Sequence, residues 1–339
     1  MNKKTLAILL VLVLGLSLFA ACTPAQTPPA QQPAQQQPAA QTPATPAVEE
    51  DEQIFRIGVS LPPILNDFHS SMREFILEAI ENAPPNFEFT VVGAADEGDQ
   101  VNVLEQFYGE NFDGVVISAF NGTIVAPITE AIYKSGTPVI VINRAIDTEY
   151  FTAFVACDNE GGARVAAHRV AEVLGGEGTV IVMQMVGGTP IDNARTYPFI
   201  EVMETYYPDI EILAVVVAGQ SRESGHDFMQ NAMMAHPVIN ALYSGAEEAI
   251  YGALHAARLA GRDEVKIGIG FGASSHMWRE IDQNPDTVLE LQSYLPIMGA
   301  DAIRAMIYYL QGGTLERYHL RDSIVLNRDN LADWRDLAF

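Results

Sequence analysis

The sequence predicts an α/β protein made of two doubly wound, parallel-sheet domains. Three observations lead there. Short β-branched runs alternate with amphipathic stretches from Ile54 onward. The runs are apolar throughout, the pattern of strands covered on both faces. They are also too numerous for one small sheet, in a chain of 339 residues where roughly 150 make a domain. A single eightfold barrel suits the length as well, and periodicity alone does not separate the two.

In chain order, strands are expected at Phe55–Val59, Glu88–Val92, Gly114–Ser118, Pro138–Asn143 and Phe151–Ala156. They continue at Thr179–Met183, Ile210–Val217, Ala241–Tyr243, Val265–Gly270 and Val288–Leu291. Between them lie helical patterns. Met72, Phe75, Ile76, Ala79 and Ile80 follow the i, i+3, i+4 spacing of one buried face. Val165, Ala166, Val170 and Val173 repeat it, as do Ile303, Met306, Ile307 and Leu310. Doubly wound domains place a cleft at the carboxyl ends of their strands.

The first residues read as an address. Lys3 and Lys4 precede an uncharged apolar run from Thr5 to Ala21, the layout of an export signal over 1–21. Leu18-Phe19-Ala20-Ala21-Cys22 resembles a bacterial lipobox, in which Cys22 becomes the lipidated first residue of the mature chain. Phe19 departs from the usual leucine three places before the cysteine. An uncleaved membrane anchor is the alternative, and both place the bulk of the chain outside the cytoplasm. Thr23 to Ala47 contains only Thr, Pro, Ala and Gln, so 22–53 reads as a disordered spacer that lets a tethered domain stand clear of a membrane.

Composition excludes several classes. A formal net charge of −24 opposes nucleic-acid binding, which relies on clustered Lys and Arg. Two cysteines, Cys22 and Cys157, make neither a disulfide scaffold nor a Cys-rich zinc site, and the seven histidines show no ligand spacing. Neither metal nor cofactor is expected. Gly268 to Ala273 formally fits a dinucleotide pattern, but it lies late in the chain and outside a first βαβ unit. No nucleophile elbow, zinc-protease or phosphate-loop motif occurs, so an enzyme is not expected.

A series of short landmarks runs in order along the chain. It begins with Ile57-Gly58-Val59-Ser60 and Asn66-Asp67-Phe68-His69, then Asp113 to Ser118 and Thr137 to Arg144. It continues with Cys157-Asp158-Asn159-Glu160-Gly161-Gly162, Ala194-Arg195-Thr196, Met229-Gln230-Asn231 and Gly252-Ala253-Leu254. Together they resemble the ribose- and galactose-binding members of the type I periplasmic binding proteins, from about Ile54 to Asn330. The resemblance implies two domains joined by three chain crossings, near Cys157/Asp158, Gln292/Ser293 and Asp322. The first domain would comprise 54–157 and 293–322, the second 158–292 and 323–339. It further implies a monomeric, membrane-tethered binder that closes on a sugar or sugar-like polar ligand and delivers it to the permease of an ABC importer. Presentation of the ligand to a signalling receptor is the rival reading.

The resemblance also implies a pocket. Ser60 and Asn66 belong to its first loop. Phe68 would stack on a sugar face or, in the blander reading, pack in the core; His69 replaces a second ring and could stack, hydrogen-bond or cap. Asn143 and Arg144 follow a buried strand, where the guanidinium fork suits adjacent hydroxyls or a carboxylate, a loop-pinning salt bridge being the alternative. Arg195 matches the family arginine better than Asn193. Three positions depart from the family: its second-domain ring aligns with Gln220, its asparagine with Ala246 and its aspartate with Gly272. The hinge-region glutamine is Gln292, with Ser293 one place off. Losing the acid at Gly272 while keeping Arg144 and Arg195 predicts a more cationic pocket, suited to an acidic ligand or a different polyol.

Overall fold

In chain order the strands are β1 (Phe55–Leu61), β2 (Phe87–Gly93), β3 (Gly114–Ser118), β4 (Val139–Ile142), β5 (Ala153–Cys157) and β6 (Gly178–Gln184). They continue as β7 (Ile210–Val217), β8 (Ala241–Ser244), β9 (Ile267–Gly272), β10 (Leu289–Ser293), β11 (Tyr318–Arg321) and β12 (Val325–Leu326). The helices are α1 (Asp67–Glu81), α2 (Glu97–Gly109), α3 (Gly122–Lys134), α4 (Asn159–Leu174) and α5 (Pro190–Tyr206). After them come α6 (Arg222–Ala235), α7 (Glu247–Leu259), α8 (Ser275–Gln283) and α9 (Met298–Leu310), with a 3-10 helix at Leu331–Leu337. This computed structural model describes residues 53–64 and 66–339. The expected export signal, Cys22 and the spacer up to residue 52 lie outside the described residues.

The strands form two six-stranded sheets, not a barrel. One has the order β11-β5-β4-β3-β1-β2 and is parallel throughout. The other has the order β12-β10-β9-β8-β6-β7 and is parallel except for β12, which runs against β10. In each, the first strand is flanked by the second and third, so strand order reverses beside β1 and beside β6. Such switch points open a crevice outside the strands' carboxyl ends. β3, β4, β8 and β9 are buried at every position, as two-sided coverage requires.

Helix faces follow from packing. α1 buries His69, Met72, Ile76 and Ala79. The face of α4 differs from the expected one: Val165 is 43% exposed, while Ala163, Ala166, Ala167, Val170 and Ala171 turn inward. Adjacent residues sit about 100° apart on a helix, so Val165 and Ala166 cannot share a narrow stripe. Here small alanines let α4 lie close to the second sheet. α6 and α7 approach more closely still. A Cβ on Gly225 would overlap the Ala249 carbonyl, and one on Gly252 the Arg222 carbonyl.

Side chains cap α1 to α6 at their first turns, through Asn66, Asp96, Asn121, Asp158, Thr189 and Ser221. α7, α8 and α9 begin with no side-chain cap. Two of these bare helix starts, those of α7 and α8, lie at the strand ends discussed below.

The chain leaves the first sheet after Cys157, returns after Ser293 and crosses once more between Arg321 and Val325. The three passages are laced together. Asp158 N donates to Arg321 O at 2.9 Å, Gln292 Nε2 to Ser323 Oγ at 2.8 Å, and Ile324 N to Ser293 Oγ at 2.9 Å. Cys157 is buried beside Leu295, and burial pushes its thiol up to about 11, which leaves it inert near neutrality.

Candidate ligand-binding cleft

The strand carboxyl ends of the two sheets bring together Phe68, Asn143, Arg144, Arg195 and a residue the sequence reading missed, Tyr294. Asn143 ends β4 in a left-handed backbone conformation, φ 68°, and the Arg144 N–H closes a three-residue turn onto Ile142 O at 2.7 Å. Asparagine tolerates that region better than most residues. The turn is secured from outside, because the Tyr294 hydroxyl donates to Asn143 Oδ1. Arg144 is thereby held at the surface, its Nη1 donating to Phe120 O at 2.9 Å. No salt bridge pins it among the described residues.

Phe68 is half-buried and stacked on Tyr294, with centroids 5.4 Å apart and rings 24° from parallel. The Phe339 ring meets its edge at 5.7 Å and His69 at 5.8 Å. Burial, and then the nearby Arg144 charge, hold His69 below its usual range, so its imidazole is neutral. Its buried Nδ1 has no partner.

From the second sheet comes Arg195, 5% exposed on the first turns of α5. Its Nε donates to Asn159 Oδ1 at 2.8 Å and Nη1 to Gly245 O at 2.7 Å. The guanidinium lies 4.4 Å from the ring centroids of both Phe271 and Tyr294. Asp192, the nearest acid along α5, is taken by Gln184 Nε2 and Met185 N. Arg195 therefore has neutral acceptors and aromatic faces for company, but no carboxylate among the described residues. Burial lowers its pKa, while Tyr294 and Tyr243 act against that shift. A buried cation in such surroundings is poised for an incoming acceptor.

Other expected site residues are placed differently. Ser60 is fully buried and accepts from Gln100 Nε2 at 3.2 Å, so its hydroxyl is already used. Asn66 caps α1, accepting from His69 N at 3.2 Å. Asn193 lines a depression of about 500 Å³ with Glu160, Pro190 and Tyr197, beside α4 and α5. Gln220 is exposed on the loop before α6. Gln292 and Ser293 both belong to the laced crossings.

The expectation of a more cationic pocket meets a carboxylate at Gly272. A Cβ there would overlap the carboxylate of Glu247, which enters from the start of α7 and fills the space. That carboxylate accepts from Ser274 N at 3.2 Å. Burial pushes it up to about 7 against the opposing Ser274 hydrogen bonds. The carboxylate beside Gly272 thus comes from the first residue of α7 and not from β9 itself. Glu247 follows Ala246, the position aligned with the family's asparagine, and that adjacency was the available signal. Tyr294 likewise follows the Gln292/Ser293 pair. A cavity of about 620 Å³ lies between α1 and α9 and contains none of these groups.

A model of the periplasmic binding protein domain matches residues 57–314. The chain belongs to the periplasmic binding protein family. This binding protein is 25% identical over 224 residues to the ribose import binding protein of Bacillus subtilis (strain 168), covering 66% of this chain and 72% of that one. It is 25% identical over 222 residues to the D-ribose/D-allose-binding protein of Pseudomonas aeruginosa, covering 62% and 69%. Among solved structures, a periplasmic ribose ABC transporter protein from Conexibacter woesei superposes with TM-score 0.76 at 19% identity, over 84% of this chain and 95% of that one. A solute-binding protein from Bacillus halodurans with bound myo-inositol gives 0.72 at 23% identity, over 85% and 99%. The relatives are solute-binding proteins, and the chain is a binding protein rather than an enzyme.

Proposed function

We propose that this protein is an exported lipoprotein, tethered through Cys22 after loss of 1–21, that captures a sugar or sugar-like polar ligand and passes it to the permease of an ABC importer. One lobe comprises 54–157 and 293–322, the other 158–292 and 323–339, and hinge closure traps the ligand between them. One observation carries the reading. A ring at the strand ends of the first sheet, Phe68, faces the buried Arg195 of the second through Tyr294, with Arg144 on the turn that Tyr294 secures. Aromatic faces pack against sugar C–H groups and arginine forks bind adjacent hydroxyls. The names of the ribose and allose relatives support the same ligand class.

A thermal-shift screen of pentoses, hexoses, polyols, cyclitols and sugar acids tests it. A true ligand at 100 times its dissociation constant should stabilise the protein by about 2.7 kcal/mol. Scattering under the same saturation should show compaction. No shift across the panel would remove the proposal. For the tether, Cys22→Ala should release the protein from host membranes or stall its processing, and a soluble, unlipidated wild type would refute that part.

Presentation of the ligand to a signalling receptor is a second reading. It is favoured by the fold match to the fructose-binding periplasmic domain of a hybrid two-component system, TM-score 0.69 at 24% identity. Ligand uptake by vesicles carrying a permease of the host would decide for transport; ligand-dependent kinase activity would decide for sensing.

A further inference from the structure

The strand ends of the second sheet carry two buried ionisable groups, Arg195 and Glu247, and neither has an ion-pair partner among the described residues. Among the described residues the Glu247 carboxylate is held by Ser274 alone, whose N–H donates to it at 3.2 Å. No arginine or lysine pairs with it among the described residues. Its neighbour Glu248 takes both His276 and Arg222, which leaves no cation for Glu247. It is the first residue of α7, and α7 has no side-chain cap, so Glu247 is not there as a cap. Burying a carboxylate without a cation is costly, and a fold gains nothing from it.

Its position is nonetheless determined on three sides. Gly272 leaves room for it, and any side chain there would collide with it. Ser274 holds one oxygen. Gly245, two residues before it, presents the carbonyl that Arg195 grips at 2.7 Å. The carboxylate and the guanidinium thus occupy neighbouring strand ends, at β9 and β8, without pairing to each other.

Resting on the proposed capture of a sugar-like ligand, we infer that Glu247 is the second lobe's ligand-binding acid, supplied by the first residue of α7 to the space above Gly272, and that it selects neutral polyols over sugar acids. A carboxylate accepts two hydroxyl hydrogen bonds at once, and Arg195 beside it donates to ligand oxygens. A neutral polyol satisfies both groups. A uronate would set its own carboxylate beside Glu247 and, above about pH 7 where that carboxyl is ionised, meet like-charge repulsion in a site of low dielectric.

The test is calorimetric titration of the full-length chain with myo-inositol, xylitol, D-ribose and D-allose as neutral probes, and D-glucuronate and D-galacturonate as acidic ones. Wild type should bind at least one neutral probe and bind each uronate at least tenfold more weakly. Glu247→Ala should lower affinity for the neutral probe by thirtyfold or more, with Glu247→Gln intermediate. Combining Glu247→Ala with Gly272→Asp moves the acid to the strand itself and should restore affinity to within about fivefold. That rescue separates a ligand contact from a merely structural role. If wild type binds the neutral probe and Glu247→Ala and Glu247→Gln bind it within twofold of wild type, the assignment of Glu247 is overturned while the capture function stands. If a uronate binds wild type best, the selectivity is overturned. If wild type binds no probe of either kind, the capture function falls and this inference with it.

Discussion

Arg195→Met is expected to abolish ligand-induced stabilisation while leaving the unliganded protein within about 2 kcal/mol of wild type. The guanidinium is buried against Phe271 and Tyr294 with no carboxylate to balance it among the described residues. Removing an uncompensated buried charge returns several kcal/mol of desolvation. Against that, Asn159 Oδ1 and Gly245 O lose their donor, at about 1–3 kcal/mol each. Methionine fills most of the volume, so the opposing effects nearly cancel. Binding has no such compensation. Each lost hydrogen bond from a charged donor to the ligand costs about 1.5–3 kcal/mol, roughly tenfold to a hundredfold in affinity. Differential scanning calorimetry of wild type and Arg195→Met, with and without the best neutral probe, reads both effects. A variant that melts normally and binds like wild type would place the site elsewhere.

The second large effect concerns pH. Burial holds the Glu247 carboxyl at about 7 in the folded protein, against an ordinary value near 4.5. Between these values the folded state binds the proton more tightly than the unfolded one. Stability therefore falls as pH rises from about 4.5 through 7 and levels off above. Glu247→Gln removes that loss. At pH 8 the variant should exceed wild type by roughly 3 kcal/mol, an order-of-magnitude figure from the size of the shift, and the two should converge below pH 4.5. The groups facing Glu247 are Glu248 on its own helix and His276 from α8, with Arg222 on α6 behind Glu248. Pairing with Glu248 raises the pKa of His276, so its stabilisation is also lost as pH rises. Both proteins keep that pair, and the difference between their urea midpoints isolates Glu247. Parallel pH profiles would show that the carboxyl is not held near 7.

The strands were legible because continuous apolar runs are a linear property. All expected strands from Phe55 to Leu291 are present, whereas β11 and β12 escaped notice. β11 is an edge strand, Tyr318-His319-Leu320-Arg321, half exposed and too polar for that test, and β12 is two residues long. In the cleft, the places of Asn143, Arg144 and Arg195 were legible because each follows a strand end or an aligned motif. The bonds that Ser60 and Gln292 already make were not, because a linear reading cannot show that Ser60 accepts from Gln100 or that Gln292 donates to Ser323. Glu247 was missed for the opposite reason. The missing acid at Gly272 was read correctly from the sequence, but the space it leaves is filled across two strands, which no single segment records.

The Tyr294 ring on Phe68 sets a limit on how long any occupant of the cleft can stay. A ligand that stacks on Phe68 must first displace Tyr294, whose stacked pair is worth about 0.5–1.5 kcal/mol beyond its buried area. Uncovering Phe68 also costs the Asn143 hydrogen bond and the Arg195 contact, and apparent affinity falls by the fraction of molecules in which the ring is free. The same ring is ready to return whenever the ligand loosens, and its hydroxyl regains Asn143 as it does. Escape is thus coupled to the formation of an internal contact and does not leave a bare hydrophobic face to water. An aromatic side chain that competes for its own pocket shortens the stay of whatever binds there.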